Sequence, residues 1–199
     1  MGAADTAEVE RRIAECLERA DHAGAATFAI RGFGPQILGY LSAIVRDETD
    51  AADVFSSFCE DLWRGIAEFR RESSFKTWAY RLAWHAASRL LRHPHRRRSR
   101  SLRTEEAEQL AVEVRSTTAL HLKEHAKDAL AAMREALEPD EQTLLILRID
   151  RGLSWREIAS ILDDETGARA EAAKRKRFER LKEKLRLEAI ARGLLREKP

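Results

Sequence analysis

The sequence predicts an all-α protein of two small helical domains joined by a flexible linker, the second domain containing a helix-turn-helix. Only 9 glycines and 4 prolines interrupt the 199 residues, and no run alternates apolar and polar residues over the length of a strand. A content of 44% hydrophobic and 35% charged residues suits charge-laced helices. The expected boundaries are a helical extension over 1–24, a first domain over 25–97, the linker over 98–118 and a second domain over 119–192.

Charge is segregated along the chain, although the net charge is only +2. Met1–Trp63 carries twelve acidic and five basic residues, whereas Ser88–Arg103 carries seven arginines and no acid. This pattern favours a basic protein partner for the first stretch and a phosphate backbone for the second.

The two cysteines, Cys16 and Cys59, fit no metal-ligand spacing, which predicts free thiols in a reducing compartment. We expect no cofactor. No signal peptide is evident and no apolar run approaches membrane-spanning length, so the expected protein is cytoplasmic and not inserted in a membrane.

Three helices are expected in the N-terminal part of the chain. The first is a charged amphipathic helix over Thr6–Ala20. Gly24 and the GFGP run around Pro35 predict turns, and a second helix follows over Pro35–Val45. The third, Asp50–Trp63, buries a stripe of Val54, Phe55, Phe58 and Leu62 and is expected to leave an acidic outer side.

The segment FRRESSFKTWAYRLAWHAASRLLR, Phe69–Arg92, is the most informative stretch. Its apolar residues from Phe75 to Leu90 recur at three- and four-residue steps, which predicts a packed helix capped by Ser73 or Ser74. The other face combines rings and cations: Thr77, Tyr80, Arg81, Trp84, His85, Ser88 and Arg92. Rings that stack on unpaired bases beside guanidiniums that hold phosphates suit single-stranded nucleic acid. The alternative is that these aromatics pack on a neighbouring segment.

The remaining chain divides into a linker and three further helical segments. Residues 96–118 pass from basic to acidic without a sustained apolar period, as expected of a linker. Helices are predicted over His121–Leu137 and Pro139–Arg151, with Gly152 as a left-handed C-cap residue. A capping box, Ser154-x-x-Glu157, opens a short helix. A basic helix from about Ala168 to Ala191 then completes a helix-turn-helix.

These segments, in this order, resemble the sigma-70 family of bacterial RNA polymerase sigma factors, and the length resembles its extracytoplasmic-function (ECF) class. DAADVFSSFCEDLW at 50–63 is similar to the family's "DAEDVxQExFxxLW" helix. SSFKTWAYRLAWHAASRLLR at 73–92 is similar to "SFxTWLYRIAxNxxxDxLR", and LEPDEQTLLILRIDRGLSWREIASIL at 137–162 to "LPxxxRxvxxLRyxxGxSyxEIAxxL". The resemblance covers roughly Thr27–Arg92 and His121–Arg186.

The sequence departs from these motifs at three places. Ser56-Ser57 stand where the family has Gln-Glu, and His85 stands where Asn is usual. The turn before the basic helix is longer than the family's, and the match places Lys174 on a position that should be buried and apolar.

The resemblance implies a transcription initiation factor, not an enzyme, that binds core RNA polymerase through the β′ clamp and β flap and helps melt the −10 promoter element. The implied clamp contacts are Asp50, Asp53, Ser56, Ser57, Glu60, Asp61 and Trp63. The implied −10 contacts are Arg70, Arg71, Ser73, Ser74, Lys76, Thr77, Tyr80, Arg81, Trp84, His85, Ser88, Arg89 and Arg92. The implied −35 contacts are Arg169, Lys174, Arg175, Lys176, Arg177 and Arg180. An anti-sigma factor is a further implied partner, and the acidic Glu105–Glu113 stretch would mimic RNA inside the polymerase.

Two other classes of function remain open from the residues. A helix-turn-helix regulator with an N-terminal sensing or partner-binding domain explains the second domain but leaves the ring-and-arginine pattern unexplained. A metalloenzyme would use the close pairs His93 with His95 and His121 with His125, but neither pair has a third ligand nearby.

Overall fold

The computed structural model describes residues 3–92, 104–124, 129–163 and 167–195, and every regular element within these ranges is helical, as predicted. The helices are α1 Ala3–Glu18, α2 His22–Val45, α3 Glu48–Gly65, α4 Phe75–Arg92, α5 Glu105–Glu124, α6 Ala129–Glu135, α7 Pro139–Leu145, α8 Trp155–Leu162 and α9 Ala168–Ala191. A short 3-10 turn follows α3, and a π-helical turn follows α7. The chain divides into two compact units, Met1–Glu124 and His125–Pro199.

α2 is the central helix of the first unit, where α1, α3, α4 and α5 pack around it. Its buried residues include Phe33, Ile37 and Tyr40. By length and composition α2 could cross a membrane, and half of its most apolar window is buried inside the protein. The prediction that no apolar run reaches that length is therefore wrong. Burial by four neighbouring helices accounts for the apolar composition.

Gly24 and the GFGP run do not form the predicted turns, because all of these residues lie inside α2. The glycines serve close packing instead. A Cβ on Gly32 would stand 2.6 Å from a methyl carbon of Val9 in α1, and a Cβ on Gly34 would stand 3.2 Å from the methyl carbons of Val114 in α5. Tertiary packing outweighs the turn propensity of this run.

α3 and α4 follow the predicted apolar stripes closely. Val54, Phe55, Phe58 and Leu62 of α3 are all buried. Ser74 caps α4, since its hydroxyl accepts from the Thr77 amide at 3.1 Å. The two cysteines are free, as predicted, and both are buried. Burial raises the pKa of the Cys59 thiol above its usual range.

Residues 105–118, expected to be part of a linker, instead form most of α5, which packs on α2 and α3. Its buried positions fall at helical spacing: Ala107, Leu110, Ala111, Val114 and Thr118. Small residues within a charged sequence make this stripe, so the sequence shows only a weak apolar period. Residues 119–124, expected to begin the second domain, are the end of α5 and belong to the first unit.

The second unit contains α8 and α9, the two helices that the predicted helix-turn-helix requires, and the motif itself stays a prediction. The Ser154 hydroxyl accepts from the Glu157 amide, and the Glu157 carboxylate accepts from the Ser154 amide, so the predicted capping box is present. Gly152 adopts φ 67°, the left-handed conformation expected of it. α9 has the predicted bounds, Ala168–Ala191, and packs on α8 and α7.

Candidate functional site

The loop before α4 is exposed and polar, and its ends are anchored by packing. Arg70, Arg71, Glu72 and Ser74 are exposed. Before the loop, the Phe69 ring lies 5.1 Å from the rings of both Phe75 and Trp78. The loop therefore presents charged and hydroxyl groups from a fixed base.

The surface of α4 is a basic strip rather than a row of rings. Arg89 and Arg92 are exposed, and Arg81 and His85 are half-buried. Lys76 is also half-buried, beside the first turn of the helix. The arginines and the lysine in this arrangement can hold a phosphate backbone, and their affinity for it would fall with salt.

The prediction that Tyr80 and Trp84 are exposed is wrong. Tyr80 is fully buried and Trp84 is 7% exposed, and Thr77 and Ser88, predicted on the same face, are also buried. The Tyr80 ring packs edge-on against Tyr40 of α2, with 5.6 Å between centroids. α4 packs on both α2 and α3, so two of its faces are interior, and these rings cannot stack on DNA while that packing holds.

The acidic side of α3 is only partly open. Asp53 is exposed, and Asp50, Ser57, Asp61 and Trp63 are half-buried. Asp61 accepts from Arg89 of α4 at 2.5 Å. The acidic side of α3 therefore borders the basic strip of α4.

Two of the implied clamp contacts, Ser56 and Glu60, are covered by α5 and the residue before it. Ser56 is 2% exposed and accepts a hydrogen bond from Arg115. Glu60 is 5% exposed and accepts from the amide and hydroxyl of Thr104, each at 2.8 Å. Their expected exposure is wrong, because α5 lies over this edge of α3.

α5 is also tied to α2 on its outer side. Arg31 donates to the Glu113 carboxylate at 2.9 Å, and this hydrogen bond lowers the pKa of Glu113. Arg115, besides its contact with Ser56, donates to the Ala52 carbonyl at 3.3 Å and pairs with Glu108 at 3.2 Å.

α9 presents a cationic surface at its N-terminal half. Arg169, Arg175, Lys176 and Arg180 are exposed, and none of them forms an ion pair with another residue that the structure describes. Guanidiniums available in this way can contact base edges or phosphates in a groove.

Lys174 does not belong to this cationic surface. It is 7% exposed and its ammonium lies 2.6 Å from the Asp163 carboxylate. The buried position that the resemblance implied for Lys174 is confirmed. Because the side chain is buried, it is not available for the −35 contact that was also expected of it. Arg177 is half-buried and pairs with Asp140 of α7 at 3.2 Å.

The histidine pairs considered for metal binding fall outside what can be described. His93, His95 and His125 lie outside the described residues, as does the side chain of His121. Within the described part of the chain, no three His, Cys, Asp or Glu side chains cluster as a metal site would require.

Sequence reasoning missed three residues that shape the site: Glu10, Thr104 and Arg115. Each makes a contact more than forty positions away along the chain. No local periodicity signals such contacts, because they depend on how distant helices meet.

The chain is similar in sequence to known sigma factors. A family model for sigma-70 region 2 matches residues 29–98. RNA polymerase sigma-H factor of Pseudomonas aeruginosa is 26% identical over 168 residues, which cover 81% of this chain and 86% of that protein. ECF RNA polymerase sigma-E factors of Escherichia coli and Salmonella typhimurium are 32% identical over 124 residues, which cover 59% of this chain and 65% of those proteins.

Proposed function

Because this chain belongs to the sigma-70 family and is a transcription initiation factor of the ECF class, we propose which of its surfaces meet polymerase and promoter. The acidic side of α3 binds the β′ clamp of core RNA polymerase, and the loop 70–74 with the basic strip of α4 receives the melted −10 element. The second unit contacts the β flap, and α9 reads the −35 element.

The main observation behind the proposal for the first unit is that the acidic side of α3 lies next to the basic strip of α4. The Asp61–Arg89 pair lies at the border between the acidic side of α3 and the basic strip of α4. A basic partner that docks on Asp50, Asp53 and Ser57 would therefore hold DNA along Arg81, His85 and Arg92. Opposite charges on neighbouring surfaces suit a factor that joins a protein to a nucleic acid.

The −10 surface differs from the one that the sequence pattern suggested. Tyr80 and Trp84 are interior, so the loop and the cations of α4 take over the contact. Arg70, Ser73 and Ser74 supply donors for an unstacked base and its flanking phosphates, whereas the Arg71 guanidinium contacts Glu18 of α1. Lys76, Arg81, His85, Arg89 and Arg92 lie along the continuing strand. Unstacking one base costs a few kcal/mol, which such contacts must offset.

For α9 we propose that Arg169, Arg175, Lys176 and Arg180 meet the −35 duplex. An arginine can pair bidentately with guanine in the major groove, and lysine serves as a phosphate contact. Lys174 and Arg177, which pair with acids of the second unit, are left out of this set as direct contacts.

A purified transcription reaction tests the first-unit proposal. Core polymerase with this chain should start transcripts at defined sites on genomic DNA, and Asp53→Arg should abolish core binding and these transcripts together. Glu8→Arg, at an acid of α1 outside the proposed surfaces, is the matched control and should behave like the wild type. Undiminished core binding by Asp53→Arg would remove α3 as the docking surface.

The same reaction separates the regulator alternative, which would need another sigma factor to start transcription. That alternative is not favoured, since the family match falls on residues 29–98, the part that it leaves unexplained. We further propose action in the cytoplasm beside core polymerase, and restraint by an anti-sigma factor that covers the acidic side of α3. Such a factor would compete with core polymerase, which a binding assay with purified components can measure.

A further inference from the structure

The first turn of α4 is held by a carboxylate from α1, 65 positions earlier in the chain. The Glu10 carboxylate of α1 accepts from the Phe75 amide at 3.0 Å and from the Lys76 amide at 2.8 Å. The first amides of a helix have no partner within the helix and carry its positive end. One carboxylate oxygen for each amide fixes both the position and the direction of this turn.

The loop just before α4 is tied to the same helix. Arg71 has φ 57°, a left-handed conformation that a residue with a side chain rarely adopts. Its guanidinium lies 3.4 Å from both the Glu18 carboxylate and the Ala14 carbonyl of α1. Strained backbone of this kind persists where the surroundings determine it.

The opposite side of the loop rests on rings. Phe75 is buried between Phe33, Phe69 and Trp78, with centroids 5.1 to 6.3 Å away. The aromatic cluster thus packs against the residues at both ends of the loop, and contacts with α1 hold Arg71 within it. Between these supports, Arg70, Glu72 and Ser74 remain exposed.

We propose that α1 positions the loop 70–74 to receive an unstacked base of single-stranded DNA, and that Glu10 is the positioning residue. This inference rests on the proposed function of that loop. Glu10 itself need not touch DNA: it holds the α4 amides so that the loop is already ordered when the base arrives. Ordering before binding lowers the conformational cost of the contact. The N-terminal helical extension is then a working part of the DNA site.

Whether loss of the Glu10 carboxylate strengthens or weakens DNA binding separates positioning from simple electrostatics. Removing a carboxylate beside a cationic DNA surface would strengthen DNA binding if charge alone mattered. Positioning predicts the reverse. Glu10→Gln keeps the size of the side chain but leaves one of the two amides facing an NH2 donor, so it should weaken capture of the single strand.

The test measures holoenzyme binding to a fluorescent single strand from the −10 region of a promoter mapped with the wild-type protein. We expect Glu10→Gln and Glu10→Ala to raise the Kd for this strand about tenfold, comparable to losing one stacked base. Affinity for core polymerase and for a −35 duplex fragment should stay at wild-type values. The salt dependence of single-strand binding should keep its slope, since no phosphate contact is removed.

Two controls separate positioning from general loss of stability. Glu8→Gln removes a carboxylate of α1 that forms ion pairs with Arg11 and Arg12 on the same helix. This variant should bind the strand like the wild type. Ile44→Val removes a core methyl group near the far end of α2 and should lower the unfolding midpoint without changing the Kd. If Glu10→Ala does not fold, Glu10→Gln decides the outcome.

A wild-type Kd for Glu10→Gln, or a loss no larger than that of Ile44→Val, overturns the inference and leaves the proposed function standing. If the wild-type holoenzyme itself does not bind the single strand, the proposed role of the loop fails, and the inference fails with it.

Discussion

Tyr80 of α4 packs edge-on against Tyr40 of α2, with 5.6 Å between the ring centroids and 60° between the ring planes. Both rings are essentially inaccessible to solvent. Aromatic pairs in this geometry stabilise a core beyond their buried area. The pair places one of the rings expected to meet DNA inside the first unit.

Tyr80→Ala should therefore act as a core truncation rather than as a DNA-binding variant. We expect it to lower the free energy of unfolding by about 3–5 kcal/mol, the cost of removing a buried aromatic ring. Chemical denaturation measures this. Tyr80→Phe, which keeps the ring, should cost much less and should leave single-strand affinity unchanged, whereas a tenfold loss of DNA affinity in a stable Tyr80→Phe would return the residue to the DNA surface.

The misplacement of Tyr80 has a clear physical reason. A helical wheel assigns one apolar stripe and one outer face, which suits a helix with one packed side. α4 is buried on more than one side, because α2 and α3 both pack on it. The apolar stripe from Phe75 to Ala86 was predictable, but the second buried side depends on neighbours that a local pattern does not reveal.

The helix α5 was missed for a different reason: its buried stripe is only weakly apolar. Its buried residues Ala107, Ala111 and Thr118 are too small or too polar to mark an apolar period, so the stretch reads as a linker. By contrast, the capping box at Ser154 and the left-handed Gly152 were predictable, since both depend on the chemistry of adjacent residues. Capping chemistry in the second unit could be predicted from adjacent residues, whereas contacts between distant helices could not.

Gly32 should tolerate no side chain. A Cβ there would lie 2.6 and 2.8 Å from the two methyl carbons of Val9, a stiff β-branched residue. We expect Gly32→Ala to lower the free energy of unfolding by about 1–3 kcal/mol through overpacking, despite the better helix propensity of alanine. Adding Val9→Ala should recover part of the loss. Equal stability of Gly32→Ala and wild type by thermal unfolding would show that α1 moves aside without cost.

Lys174 and Arg175 are neighbours with different expected roles. The Lys174 ammonium is buried against Asp163 at 2.6 Å, whereas Arg175 is exposed. Lys174→Met removes one partner of the pair, but the Asp163 side chain is 35% exposed and stays hydrated, so the free energy of unfolding should change by only about 1 kcal/mol. It should also leave −35 duplex affinity unchanged. Arg175→Ala should weaken duplex binding and reduce its salt slope by about one. Fluorescence anisotropy at several salt concentrations distinguishes the two, and a reversed outcome would shift the assigned face of α9.

Glu141 makes the second unit sensitive to acid. Burial alone would raise its pKa, but the hydrogen bonds from Lys184 and the Glu138 amide outweigh burial and lower the pKa below 4.5. Because the pKa is lower in the folded state, the stabilisation is fully present above pH 4.5 and is lost as the pH falls through the folded value. The difference in Tm between wild type and Glu141→Gln should be largest at neutral pH and shrink below pH 4.5. A difference that does not vary with pH would exclude this charge as the cause.

Arg115 should govern how much of α3 is open to a partner. Its guanidinium contacts Ser56 and the Ala52 carbonyl, and with Thr104 on Glu60 these contacts cover one edge of the predicted clamp surface. Hydrogen bonds from a charged donor contribute about 1.5–3 kcal/mol each. Arg115→Ala should loosen α5 by about 1–3 kcal/mol and speed hydrogen exchange at its amides.

If core polymerase must displace α5 to reach Ser56 and Glu60, loosening α5 should tighten core binding. A 1.4 kcal/mol shift in that equilibrium corresponds to about tenfold in apparent affinity when the covered state dominates. Arg31→Ala is the matched control, because it breaks only the solvent-exposed pair with Glu113 on the α2 side of the helix and should change stability little. Surface plasmon resonance with immobilised core polymerase measures both variants. Unchanged core affinity for Arg115→Ala, with α5 loosened in hydrogen exchange, would mean that polymerase docks on Asp50, Asp53 and Ser57 alone and leaves α5 in place.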